Sequence, residues 1–358
     1  LVIDESMEAR MTASFRQSAS TSERRCQEPS WWESGALDSS PPADSRPGRD
    51  EFLSDVLAGL AKPQKQLSPK YFYDDAGARL FEELCELDEY YIPRTEKSIM
   101  QAHVKEMTDL LGEDLLLIEY GCGDCAKTRI VLDHLSRPAG FVPIDISFEQ
   151  LQRVAADLES SYPGLEVMPV CADYTGAYEL PRPRRKSARN AVYFPGSTIG
   201  NFDPIPARMF LDHMAEACGP DGALLVGVDL KKDPAVLHRA YNDGDGVTAA
   251  FNLNLLARIN AELGADFRLD AFEHYAFFNP VEGRVEMHLV SLADQPVHVD
   301  GITVDFSRGE SIWTESSYKY SLDEFASLAA ATGFRAERVW TDEREWFSVQ
   351  YLVNDGRA

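Results

Sequence analysis

The chain has 358 residues, 44% of them apolar and 26% charged, a globular composition long enough for one large domain or two ordinary ones. Its 35 Lys and Arg against 59 Asp and Glu leave a formal charge of −24, which excludes nucleic acid and anionic membrane as expected partners, because neutralising phosphates needs cations in excess. No window approaches the roughly 18–20 apolar residues of a membrane span, no secretory apolar run opens the chain, and six scattered cysteines point to reduced thiols in a cytoplasmic protein.

Residues 1–50, rich in Ser, Arg, Pro and acids, read as a disordered tail. Phe52, Val56, Leu57 and Leu60 recur at helical spacing up to Pro63. An aromatic segment, Pro69-Lys-Tyr-Phe-Tyr-Asp-Asp-Ala-Gly77, precedes a helix over Ala78–Leu87, and Tyr90-Tyr91-Ile92-Pro93 leads into another over 96–111. From 115 the rhythm changes. Apolar runs at Leu115–Tyr120, Phe141–Ile146, Leu165–Val170, Ala191–Phe194 and Ala223–Leu230 alternate with helical segments at Lys127–Leu135, 148–159 and Pro206–Ala217, the pattern of right-handed βαβ units on a parallel sheet. The basic cluster from Arg182 to Arg189 reads as a solvated loop. After Asp229 the pattern breaks into helices at Val236–Ala240 and Ala249–Leu263 and antiparallel strands at Glu282–Leu292, Val297–Asp305 and Glu310–Tyr320. A capping box at Ser321…Glu324 opens a helix ending near Gly333, and Trp346–Val353 is a last strand. The α/β core is therefore expected over 100–230 plus 321–358, with 51–99 and 231–320 forming a second, mixed α+β part.

Glu119-Tyr-Gly121-Cys-Gly123-Asp-Cys125 follows the first strand of that core and opens a helix, where a Gly turn lets backbone approach a ligand at an electropositive helix start. Asp145, 24 residues beyond Gly121, ends the second strand, at the spacing where a carboxylate grips ribose hydroxyls, and Asp173 follows the third. Ala126 occupies the place of a third Gly, so the glycines alone do not separate a nicotinamide dinucleotide from adenosylmethionine; the strand-end acids favour the latter. Cys122 and Cys125 form a C-x-x-C, but no second pair or nearby His completes a zinc site, so no metal is expected. The fourth strand runs into Pro195-Gly-Ser-Thr-Ile-Gly-Asn201, a polar loop whose Asn can hold an amine or a carboxylate without imposing charge.

With Lys70-Tyr-Phe-Tyr-Asp74, Glu89-Tyr-Tyr-Ile-Pro-Arg-Thr-Glu96, Gly196–Asn201, Arg239-Ala-Tyr241, Gly246–Asn252 and Thr314-Glu-Ser-Ser-Tyr-Lys319, the chain resembles the histidine-specific methyltransferases that make hercynine in ergothioneine biosynthesis, over about 51–355. The resemblance implies a Rossmann-like class I methyltransferase domain, with 51–99 and 231–320 as its substrate-binding domain. It implies adenosylmethionine bordered by Tyr73, Phe81, Gly121, Gly123, Lys127, Asp145 and Asp173, and L-histidine held by Tyr90, Asn201, Tyr241, Met287, Glu315 and Ser317, in a monomer. Ile92 lengthens the tyrosine motif by one residue, leaving Tyr90 and Tyr91 as alternatives for the pocket wall. A carboxylate at 315 can accept from an imidazole N–H while the hydroxyl of Ser317 serves the other nitrogen.

The chemistry needs a neutral amine, yet a free α-amino group is mostly protonated near pH 7. Burial lowers that pKa. Asn201 orients the lone pair, and the proton leaves through water or Tyr73. Aromatic faces suit an amine that grows through three methylations. The rival readings are a betaine-forming methyltransferase for Tyr or Trp, a silent adenosylmethionine binder and a nicotinamide oxidoreductase.

Overall fold

The computed structural model describes residues 43–45, 48–176 and 178–356. In chain order, β1 (Ala43–Ser45), α1 (Arg49–Leu60) and β2 (Lys65–Gln66) lead through a 3-10 turn at Pro69–Phe72 to α2 (Asp75–Glu86) and α3 (Ile92–Leu111). The Asp74 carboxylate caps α2 by accepting from the Gly77 N–H at 2.8 Å. Pro93 sits in the first turn of α3, where its missing N–H costs nothing. The α/β rhythm then runs β3 (Leu115–Tyr120), α4 (Ala126–Leu132), β4 (Gly140–Asp145), α5 (Phe148–Ser161), β5 (Val170–Ala172), β6 (Arg189–Phe194), α6 (Pro204–Cys218) and β7 (Ala223–Asp229). Every residue of β3 and β7 is buried, as central strands covered on both faces must be.

The main sheet has the order β1-β5-β4-β3-β6-β7, all parallel, and is closed at one edge by the antiparallel pair β14 (Phe347–Asn354) and β13 (Phe334–Thr341). β4 and β5 lie to one side of β3, and β6 and β7 to the other. The order reverses at β3, which opens a crevice beyond the carboxyl ends of β3 and β6. This is the Rossmann-like arrangement expected from the rhythm of apolar runs.

Between β7 and the last helix, α9 (Leu322–Ala330), the chain inserts α7 (Pro234–Tyr241), α8 (Val247–Leu263) and strands β8 (Phe272–Asn279), β9 (Arg284–Ser291), β10 (Gln295–Val299), β11 (Ile302–Phe306) and β12 (Ser311–Tyr318). A second sheet of order β2-β12-β9-β8 results, and α8 packs between it and α2.

Several expectations need correction. The tail expected over 1–50 ends sooner: β1 pairs with β5 and α1 begins at Arg49, while residues 1–42, 46 and 47 lie outside the described residues. The single strand expected over Val297–Asp305 is a β10–β11 hairpin, because Asp300 and Gly301 both take positive φ (47° and 81°), the turn chemistry of a two-residue hairpin. The third strand of the core begins only at Val170; Val167 makes an isolated bridge to Phe141. β8 and β13 were not expected; the alternation of β8 is blurred by apolar residues on both faces and that of β13 by charged ones.

Candidate active site

Gly121 and Gly123 take positive φ (69° and 52°) in the turn after β3, and a side chain on Gly123 would meet nothing within 4 Å, so this loop presents bare backbone to open space. The loop is pinned from β4. The Gly121 N–H donates to the Ile144 carbonyl at 2.8 Å, and the Gly123 N–H donates to Asp145 Oδ2 at 3.0 Å. The Ser147 N–H donates to Asp145 Oδ1 at 2.9 Å. Burial pushes the Asp145 carboxyl above its ordinary value, against the pull of these backbone donors. Asp173 accepts from Thr175 and pairs with Lys70 at 3.2 Å. Lys127 borders the same space with its ammonium 2.6 Å from Glu96. Glu119 lies beneath the loop, bonded to the Thr128 hydroxyl at 2.5 Å, with burial pushing its carboxyl up to about 8.

These groups line a cavity of about 770 Å³ at the switch point. Its ionisable lining is eight acidic against four basic side chains. Such a wall suits a cationic ligand and opposes the pyrophosphate of a dinucleotide.

The cavity continues into a narrower pocket walled by Tyr73, Phe81, Tyr90, Tyr241, Phe251 and Met287, with Asn201, Glu315 and Ser317 among its polar groups beside Ser197, Thr198 and Thr248. Tyr73, Phe81, Tyr90 and Asn201 line both spaces. Tyr73 meets Phe81 edge to face at 5.6 Å, and Tyr90 meets Tyr241 likewise at 6.0 Å. Tyr91 turns the other way: it is buried against Trp346 and donates to Asp229 at 2.8 Å, so Tyr90 is the tyrosine that faces the pocket. Asn201 ends a 3-10 turn over Thr198–Asn201, and no described residue hydrogen-bonds its amide. The hydroxyls of Tyr73 and Tyr90 likewise have no partner among the described residues, and burial holds both phenols well above their ordinary pKa.

A bulge in β12 brings Glu315 and Ser317 to this wall. Trp313 pairs with His288 and Glu315 with the next residue, Met287, so β12 spends one extra residue at Thr314. Trp313 therefore stacks on His288 on the outer face while Glu315 and Ser317, two positions apart, turn inward beside Met287. No described residue donates to the Glu315 carboxylate, and burial pushes it up to about 7 against the pull of Lys319.

Sequence reasoning missed two supports of this site. Glu96 on α3 is fully buried and accepts from the Gly196 N–H at 3.0 Å as well as from Lys127, tying the helix to the loop after β6. Lys319 is also fully buried and reaches Asp229, Ser317 and Tyr241. Both residues lie inside quoted motifs, but a single charged letter carries no sign that it is buried.

The family model described as a SAM-dependent, histidine-specific methyltransferase matches residues 52–354. The chain is 42% identical over 301 residues to the histidine N-alpha-methyltransferase of Mycobacterium tuberculosis, covering 82% of this chain and 92% of that protein. It is 41% identical over 306 residues to the histidine N-alpha-methyltransferase of Mycolicibacterium smegmatis, covering 84% and 94%. With ergothioneine biosynthesis protein 1 of Neurospora crassa it shares 28% identity over 320 residues, 82% of this chain and 34% of that longer protein.

Proposed function

We propose, from the premise that this chain belongs to the SAM-dependent histidine-specific methyltransferase family, that it trimethylates the α-amino group of L-histidine to hercynine, the first step of ergothioneine biosynthesis. The observation that carries the substrate reading is the acceptor carboxylate of Glu315 beside the Ser317 hydroxyl in the wall of an aromatic pocket. An imidazole offers one N–H and one bare nitrogen to such a pair; a phenol or an indole does not.

The residues at the switch point fit adenosylmethionine: bare backbone at Gly123, a carboxylate at the end of β4, an acidic wall and a cavity of about 770 Å³. When bound it supplies a methyl group on a sulfonium, ready for in-line displacement by an amine. Gly121, Gly123, Lys127, Asp145 and Asp173 hold it, and the second sheet with α1, α2 and the inserted helices serves as the substrate-binding part. Asn201, with its amide unengaged, orients the amine. The Tyr241 ring, edge to face with Tyr90, walls the space of the head group.

The protein's main task is to keep the amine neutral. Burial among Tyr73, Phe81, Tyr90 and Phe251 disfavours the ammonium, and Asn201, unlike a carboxylate, does not favour it. Tyr73 remains a phenol at any working pH, so it acts as a hydrogen-bonding relay to water and not as a phenolate base. The same rings offer their faces to a methylated ammonium.

Incubation of the protein and adenosylmethionine with equimolar histidine, tyrosine and tryptophan, read by mass spectrometry, tests this directly. Gain of three methyl groups on histidine alone is expected. Methylation of tyrosine or tryptophan in preference would replace the substrate assignment and keep the cofactor.

A further inference from the structure

Lys319 is a charged side chain with no exposure to solvent, and its ammonium is fully committed. It lies 2.7 Å from Asp229 Oδ2, 2.8 Å from Ser317 Oγ and 3.0 Å from the Tyr241 hydroxyl oxygen, so three N–H donors meet three oxygens. Asp229 is braced in turn by Tyr91 at 2.8 Å and Lys232 at 2.5 Å, all on elements behind the pocket wall. The Tyr241 hydroxyl and Ser317 Oγ are 2.8 Å apart. Two hydroxyls carry two protons. Lys319 occupies an acceptor site on each, so one proton closes the bond between them and the other has only the pocket left to face.

We propose that Lys319 is a positioning residue that sets the hydrogen-bond polarity of this wall. By occupying an acceptor site on both Tyr241 and Ser317, it makes the pair a donor toward the pocket. With the acceptor Glu315 beside Ser317 on the same strand, the site then takes a neutral azole with one N–H and one bare nitrogen. This deepens the histidine reading and rests on it. A protonated imidazole, with two N–H groups, meets a donor where it needs an acceptor. A ring without a bare nitrogen leaves the hydroxyl proton unpaired in a buried wall, a cost a polar site converts into discrimination.

The test compares kcat/KM for histidine with that for the two pyrrolylalanines, which keep a ring N–H and replace the bare nitrogen by C–H. Wild-type full-length protein is expected to favour histidine by at least about 100-fold over the better isomer. Lys319→Met frees both hydroxyls to turn, and the preference is expected to fall at least tenfold. Lys319→Gln keeps an N–H donor to the hydroxyls without the charge and is expected to retain most of the preference. Ser317→Ala is expected to lose it, with no further loss in Ser317→Ala/Lys319→Met. Should Lys319→Met not fold because Asp229 loses a partner, Asp229→Asn/Lys319→Met carries the same comparison. Equal loss on histidine and the analogues, leaving the ratio unchanged, would reduce Lys319 to a structural strut and overturn the inference. Failure of the wild-type protein to methylate histidine would instead remove the proposed function, and the inference with it.

Discussion

Glu315 holds an ionisable carboxyl in a buried wall with no donor from a described residue, and its pKa in the folded protein, about 7, lies above the ordinary 4.5. The folded state therefore binds this proton more tightly than the unfolded chain, and the contribution to stability is present below about 4.5 and lost as pH rises through 7. Glu315→Gln keeps the shape and removes the charge. We expect it to stabilise the ligand-free protein at pH 8 by roughly 3 kcal/mol and to change little at pH 4.5, read as the difference in melting temperature between the two pH values. The same variant is expected to lower kcat/KM for histidine by about 100-fold, since a hydrogen bond to a charged group is worth about 1.5–3 kcal/mol. In the wild-type protein kcat/KM rises as pH climbs through 7. Equal stability of variant and parent at both pH values would mean that the carboxylate is solvated and not buried. That a Glu and a Ser two positions apart belong to one pocket was legible in the Thr314–Lys319 motif. Their inward direction was not, because strict alternation from Trp313 places all three on one face and only the bulge at Thr314 separates them.

At the scale of elements, the site depends on how closely the 3-10 turn bearing Asn201 approaches β12. A side chain on Gly200 would sit 2.7 Å from the Tyr318 carbonyl oxygen, backbone against backbone, with no rotamer to relieve it. Gly200→Ala is expected to push the turn off the strand, destabilise the protein by about 1–3 kcal/mol and cut kcat/KM for histidine at least tenfold by displacing Asn201 from the amine. A variant with unchanged stability and activity would show that the turn is not held by β12. Glu96 presents the companion case on the other side of the loop. Glu96→Ala leaves the Gly196 N–H and Lys127 without their shared acceptor, and we expect a loss of about 2 kcal/mol by urea titration. The order of helices and strands was readable from apolar spacing, and so was the start of α9 from its capping box. β13 escaped notice because it lies at the sheet edge, where five of its eight residues are exposed and packing imposes no alternation on the sequence.

For the whole molecule, the two cavities share Tyr73, Phe81, Tyr90 and Asn201, so ligands in the two are expected to influence each other's binding. Ligands that bind only the folded state raise its melting temperature by mass action. S-adenosylhomocysteine at 100 times its Kd is expected to raise it by about 5 °C, and histidine added afterwards to raise it further than histidine does alone. Identical histidine shifts with and without S-adenosylhomocysteine would make the two cavities independent. The chain's own composition determined a good deal of this: a globular class, a charge of −24 unsuited to polyanions, a parallel core interrupted by an insertion, and a Gly-rich turn followed by acids at strand ends. Those features are local, written in spacing and residue type, and need no knowledge of what lies across the fold. Tertiary structure alone decided that Tyr90 and not Tyr91 faces the pocket, that Glu96 and Lys319 are buried, and that Lys319 links Asp229 on β7 to Tyr241 on α7 and Ser317 on β12. Each of these rests on contacts between segments tens to hundreds of residues apart, and burial and hydrogen-bond polarity exist only once those segments meet.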